Sequence, residues 1–147
     1  MDWSDTSEQA QFRAAVRQFI RDQFPENYRP DFHGQQSLEP EDIFGYNWPA
    51  DRRSEDPERR AVAMEWASVL AGQGWVAPHW PKEYGGASLT EIEDLIFTQE
   101  MARARAPLVN GIGVSLLGPT LIVHGTEEQR NEHLPKIISG EIVWAQG

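Results

Sequence analysis

Residues 108–125 read LVNGIGVSLLGPTLIVHG, and only Asn110, Ser115, Thr120 and His124 are polar among these eighteen positions. A segment this apolar reads as a helix that is hydrophobic on every side, and such a helix belongs in the centre of something larger. Gly118-Pro119 must kink or divide it, because proline removes a backbone donor and clashes with the preceding turn. Gly111, Gly113 and Gly118 allow the close approach of another helix or of a ligand. They do not make a nucleotide loop. A dinucleotide fingerprint needs GxGxxG between a strand and a helix, and here the third glycine is misplaced and followed by proline.

Working outward, the flanks are helical too. Downstream, Thr126 with Gln129 makes a capping box for a helix carrying Leu134, Ile137 and Ile138, which closes at Ser139-Gly140. Upstream, Thr90 with Glu93 caps a helix in which Ile92, Leu95, Ile96, Gln99 and Ala102 trace one face, and which runs out near Ala106-Pro107. Before it lies the irregular connection WVAPHWPKEYGGASL (75–89). Asp56 and Pro57 open a further helix as N-cap and first residue, Val62, Trp66, Val69 and Leu70 form its buried face, and Gly72 and Gly74 end it. The first helix runs from Thr6, boxed with Gln9, to Phe24, with Phe12, Val16, Phe19, Ile20 and Phe24 on one stripe and Pro25 as its stop.

Two stretches break this pattern. Over 28–55 the period is lost, and Pro30, Gly34, Pro40, Gly45 and Pro49 punctuate a long irregular loop. Tyr28, Phe32, Phe44, Tyr46 and Trp48 give it anchors, so an ordered excursion is expected rather than a free linker. At the far end, EIVWAQG (141–147) is a run of strand-forming residues, and a strand needs a neighbour. The expected architecture is therefore an all-α bundle over 1–140 with a first strand beginning at 141–147.

Composition narrows the function. A net charge of −10 repels nucleic acid and anionic membrane, since phosphate binding wants clustered Lys and Arg. The arginines of DRRSEDPERR (51–60) are neutralised by Asp51, Glu55, Asp56 and Glu58. The absence of cysteine excludes a disulfide scaffold and any thiolate metal site. No basic-then-apolar leader opens the chain, and no run of 18 apolar residues is present, so a cytoplasmic location and no membrane span are expected. Six tryptophans and six phenylalanines favour a real core.

Local signals supply no catalytic set. His124 and His133 bracket GTEEQRNE, which is not HExxH, and His79 sits in a loop without an acid/base partner nearby in sequence. Glu91, Glu93, Asp94, Glu127 and Glu128 all fall in helix first turns, where the helix dipole explains them without catalysis. No serine has a nucleophile-elbow context.

Four stretches in order nevertheless resemble the amino-terminal part of acyl-CoA dehydrogenases: GQGWVAPHWPKEYGGASLTEIE (72–93), LIFTQEMARARAP (95–107), LLGPTLIVHGTEEQRNEHLPKIISGE (116–141) and IVWAQG (142–147). The resemblance runs from about Ala61 to Gly147, with the first helix matched more loosely. It implies an amino-terminal helical domain over 1–140, followed at 141–147 by the entry strand of a β-domain cut just short of its flavin-contacting S/T-E-P element. It implies α,β-dehydrogenation of an acyl-CoA thioester, with a glutamate taking the α-proton, FAD taking the β-hydrogen as hydride, and electrons passing to an electron-transferring flavoprotein. That glutamate belongs to a later domain, so no catalytic residue is assigned here. Neither FAD binding nor turnover is expected of these residues alone, and a homo- or hetero-oligomer is expected of the complete enzyme. Carried over by position, Val109, Ile112, Gly113 and Leu116 line the acyl pocket, at i, i+3, i+4 and i+7 of one helical face. Gln146 and Gly147 align with the start of the flavin-contacting segment. The long 28–55 loop departs from the compact connection of simple members and resembles bacterial members that act on unusual acyl groups. From another class, the alternative is a stand-alone helical binding or assembly module without redox activity.

Overall fold

Three threonines start three helices in the computed structural model, which describes residues 4–28 and 48–147. Thr6 opens α1 (Ser7–Gln23), Thr90 opens α4 (Glu91–Ala104) and Thr126 opens α6 (Glu127–Ile138). In each, the threonine side chain accepts from the third backbone N–H while Gln9, Glu93 or Gln129 reaches back, which satisfies two otherwise orphaned donors. Asp56 caps α3 (Pro57–Gly72), with Pro57 in its first turn. Between α1 and α3 lie a short 3-10 turn at Glu26–Tyr28 and the single helical turn α2 (Trp48–Asp51). α5 (Gly118–His124) precedes α6.

The stripe read on α1 turns inward: Val16, Ile20 and Phe24 are buried, with Phe12 and Phe19 packed against the same core. It meets an aromatic cluster built by α3 and the loop after it. Trp66 lies 4.9 Å from Phe24 and 6.1 Å from Phe19, and Trp75 lies 4.6 Å from Phe19 and 5.3 Å from Phe97, all between ring centroids. Such pairs contribute about 0.5–1.5 kcal/mol each beyond their buried area. The buried Trp66 indole is satisfied as well: its Nε1 donates to the Pro107 carbonyl at 2.9 Å.

On α4 the buried side differs from the face read in the sequence. Ile96, Phe97, Glu100 and Met101 are buried, whereas Ile92 and Leu95 stay about half exposed. The apolar pattern is right in period but displaced in phase, because the inner face carries an acid. Glu100, 3% exposed, accepts from Arg17 Nε at 2.6 Å and Arg13 Nη1 at 2.9 Å, and Arg13 also grips Asp5 at 2.6 Å. Burial pushes the Glu100 carboxyl up, but the hydrogen bonds from Arg17 and Arg13 outweigh it and hold it below its ordinary value. α1 and α4 are thus joined by a charged seam over an aromatic floor.

The ends of the 28–55 excursion are tied. Asp51, 2% exposed, accepts from Tyr28 Oη at 2.7 Å and from Arg59 Nε at 2.7 Å. Trp48 is buried at 0% and donates to the Ala63 carbonyl at 2.7 Å. Residues 48–51 are therefore helical rather than irregular, and the expected anchors Tyr28 and Trp48 are in place. Phe32, Phe44 and Tyr46, together with Pro30, Gly34, Pro40 and Gly45, lie outside the described residues.

Candidate functional site

The GG turn of PKEYGG prepares the floor of the site. Gly85 takes φ +85°, closing the 3-10 turn Lys82–Tyr84, and a Cβ on Gly86 would fall 2.1 Å from the Trp80 carbonyl oxygen. The turn delivers Trp80, 1% exposed, under the apolar segment, where its Nε1 donates to the Val114 carbonyl at 3.0 Å. A Cβ on Gly118 would lie 1.7 Å from Trp80 Cζ2, so the close approach foreseen for this glycine is that of an indole ring. Gly113 faces the Asn110 side chain, and Gly111 has open space around it.

The segment is not one straight rod. Asn110 takes the left-handed conformation at φ +59°, which asparagine tolerates better than most residues, and helical backbone starts only after it. Gly113–Leu117 then form a π-turn, with the Gly118 N–H bonding to the Gly113 carbonyl, and α5 resumes with Pro119 in its first turn. Widening the helix ahead of Pro119 accommodates the missing donor and the ring, which is the physical form the expected division takes. Val109, Ile112, Gly113 and Leu116 therefore do not share one face. Val109 precedes the helix, and the π-turn shifts the register between Ile112 and Leu116. Val109 and Gly113 are buried within the chain, Ile112 is half-buried, and Leu116 is 51% exposed. Leu108 at 50% and Val123 at 69% are also exposed. The segment keeps its inner side on Trp80 and presents apolar side chains outward.

The terminal stretch lies alongside. No strand forms at 141–147, since the described residues offer no neighbouring strand to pair with. Gly140 takes φ +71° and ends α6, with the Trp48 ring against it. Trp144 meets His133 edge-on at 5.6 Å between ring centroids, and Ala145, Gln146 and Gly147 are exposed. Two residues distant in sequence hold this stretch. Asn110, wholly buried, donates through Nδ2 to the Ile137 and Ile142 carbonyls, each at 2.9 Å, and Arg52 Nη2 donates to the Glu141 carbonyl at 2.9 Å. Around the same junction, Arg52 Nε, Asn110 Oδ1, His133 Nδ1 and Trp144 Nε1 are buried without a hydrogen-bond partner among the described residues. Each such atom costs about 1–3 kcal/mol.

No group of three metal-ligating side chains occurs among the described residues, and Glu93 is held below its ordinary value by the Thr90 backbone and hydroxyl it bonds. His79 does have an acidic neighbour, Asp94, at 3.9 Å, which sequence spacing could not show. Among the described residues, no helix is long and apolar enough to cross a membrane. Sequence reading missed Glu100, Asn110 and Arg52. A lone polar residue inside an apolar stretch was the available signal for Asn110.

A family model described as the acyl-CoA dehydrogenase N-terminal domain matches residues 47–141, the stretch that holds the Trp80 floor, the π-turn and α6. The chain belongs to the acyl-CoA dehydrogenase family. It is 39% identical over 138 residues to acyl-CoA dehydrogenase IpdE1 of Mycolicibacterium smegmatis, a match covering 93% of this chain and 31% of that relative. In three dimensions this dehydrogenase-family chain is similar to the ChsE4-ChsE5 complex from Mycobacterium tuberculosis, with a TM-score of 0.65 and 26% identity over 97% of this chain and 30% of that one. It is likewise similar to the Tcur3481-Tcur3483 steroid ACAD, with a TM-score of 0.65 and 29% identity over 97% of this chain and 32% of that one. The chain thus spans about a third of the length of the relatives it matches, and its all-helical body is that of the family's N-terminal domain.

Proposed function

We propose that this chain forms one wall of the acyl pocket of an FAD-dependent acyl-CoA dehydrogenase and does not turn over substrate by itself. The observation that carries this reading is the outward apolar side of the Leu108–Val123 segment, where Leu116 and Val123 remain exposed above a floor fixed by Trp80. Acyl pockets are concave and mostly apolar, and apolar groups left facing outward are stabilised when a hydrocarbon tail covers them, by about 25 cal/mol per Å². Ile112 and Leu116 meet the acyl group, and Val109 and Gly113 back them from inside the chain. The likeness to the Tcur3481-Tcur3483 steroid ACAD and to the ChsE4-ChsE5 complex favours a bulky ring-bearing acyl group and a hetero-oligomer over a straight-chain substrate and a homo-oligomer.

Gln146 and Gly147 are read as the edge that meets the flavin. They are exposed at the end of a held segment, which suits backbone groups that bond a cofactor. Bound FAD supplies the acceptor for the β-hydrogen, and an electron-transferring flavoprotein is the expected next carrier. This chain contributes orientation and exclusion of water. The two buried acids among the described residues are ill-suited to taking an α-proton: Asp51 is tied to Tyr28 and Arg59, and Glu100 is held in its charged form by two arginines, which makes it a weak base. We read the catalytic base as belonging to another part of the complete enzyme.

The test compares these 147 residues alone with an enzyme of the relatives' full length that carries them. The long form is expected to be yellow and to reduce an artificial acceptor when given acyl-CoA, while the short form does neither. Turnover by the short form, or an inert, colourless long form, contradicts the reading.

A further inference from the structure

We propose that Asn110 and Arg52 are positioning residues, which hold the backbone at Glu141 and Ile142 and so aim residues 145–147 at the flavin. The inference rests, for the flavin alone, on the reading of Gln146 and Gly147 given above.

An ordinary helix end needs no such help. The last turn of α6 is already closed by the Ser139 N–H on the Pro135 carbonyl and the Gly140 N–H on the Ile137 carbonyl. Beyond it, two bonds of 3.3 Å steady the chain locally, from the Glu141 N–H to Ser139 Oγ and from the Ile142 N–H to the Lys136 carbonyl. The remaining hold comes from far away. Asn110 spans 32 positions to reach Ile142 and 27 to reach Ile137, so one carboxamide fixes the end of α6 relative to the residue that follows it. Arg52 spans 89 positions to the Glu141 carbonyl, and its guanidinium sits 5.6 Å from the centre of the Trp48 ring. That ring in turn lies where a Cβ on Gly140 would fall, 2.7 Å from Trp48 Cη2.

Both holding groups are themselves anchored. Trp48 is pinned through Nε1 to the Ala63 carbonyl of α3, and Asn110 is buried at the start of the segment that carries Ile112 and Leu116. The same asparagine therefore connects the acyl-facing wall to the flavin-facing end. A donor fixed in the interior costs no reorganisation when a substrate arrives, which is the condition for positioning reacting partners to within a fraction of an ångström.

The experiment uses the enzyme of full relative length, with amide hydrogen exchange and the visible flavin spectrum as readouts. Asn110→Gly keeps the left-handed backbone and removes the carboxamide. Arg52→Gln removes the bond to Glu141 from a separate element, so the test survives if one variant folds poorly. Exchange at Gly140–Ile142 is expected to quicken on the order of tenfold in each, the scale of losing one or two hydrogen bonds, with α1 and α4 unmoved. FAD is expected to bind more weakly and its visible band to shift, while Arg52→Lys, which can still donate, restores both. Unchanged exchange at 140–142, or an equal acceleration in α1 and α4, overturns the proposal. Quickened exchange beside an unaltered flavin band and affinity overturns the aiming role. A parent enzyme that takes up no FAD overturns the underlying flavin reading instead.

Discussion

The α1–α4 seam and the Leu108–His124 segment both begin as apolar patterns in the sequence, yet they finish their hydrogen bonding and burial in opposite ways. In the seam, aromatic rings from α1, α4 and the Trp75 loop interlock, and the one buried acid, Glu100, is paired with two arginines. In the segment, the inner side is fitted tightly to Trp80 while Leu108, Leu116 and Val123 look outward. The seam is closed within this chain, whereas the segment leaves apolar side chains uncovered. The first kind of surface serves stability and the second is the one proposed for binding, so substitutions in the two regions should separate these quantities.

The largest effect is expected where the segment meets its floor. Gly118→Val places a branched side chain into the Trp80 ring, and overpacking against an anchored indole should cost about 3 kcal/mol or more. The urea midpoint is the measurement. Gly111→Ala sharpens the comparison: with open space around it, alanine should be neutral or stabilising by up to about 1 kcal/mol.

Next comes the seam. Glu100→Ala removes the shared acid and leaves two arginines facing each other, at a cost of about 2 kcal/mol given their partial exposure. Its pH signature has a definite sign. A carboxyl whose folded pKa is depressed contributes stability that is fully present above its unfolded pKa and is lost as the pH falls through the folded value. Acid titration of stability should thus steepen below about pH 4 in the parent and be shallower in Glu100→Ala. A parallel loss in both would remove Glu100 from the account. A smaller step, about 1 kcal/mol in the melting curve, is expected for Thr126→Ala, which deletes the cap of α6.

The same contrast explains what was legible in the sequence. Capping boxes are local, so the starts at Thr6, Asp56, Thr90 and Thr126 and the stop at Gly140 could be read from neighbours three or four positions apart. The stripe of α1 was readable because every residue on it is apolar. On α4 the phase was misread because the inner face includes Glu100, whose burial depends on Arg13 and Arg17, more than eighty positions away. The division at Gly118-Pro119 was evident, but the π-turn and the left-handed Asn110 are tertiary solutions to it, and they moved Val109 off the expected face. Asn110 and Arg52 escaped notice for the same reason: their partners are backbone carbonyls, which carry no sequence signature.

The smallest change in stability is expected from Leu116→Gln, whose side chain is half exposed and whose loss should stay within about 0.5 kcal/mol. That makes it the most direct measurement of the central claim. In an enzyme of the relatives' full length, kcat/KM should be taken for Leu116→Gln and Ile112→Trp across acyl-CoA thioesters of increasing bulk. Losses on the order of tenfold are expected for bulky acyl groups, shrinking for short ones, with the melting temperature of Leu116→Gln unchanged. Equal kinetics across the whole series in both variants would contradict it.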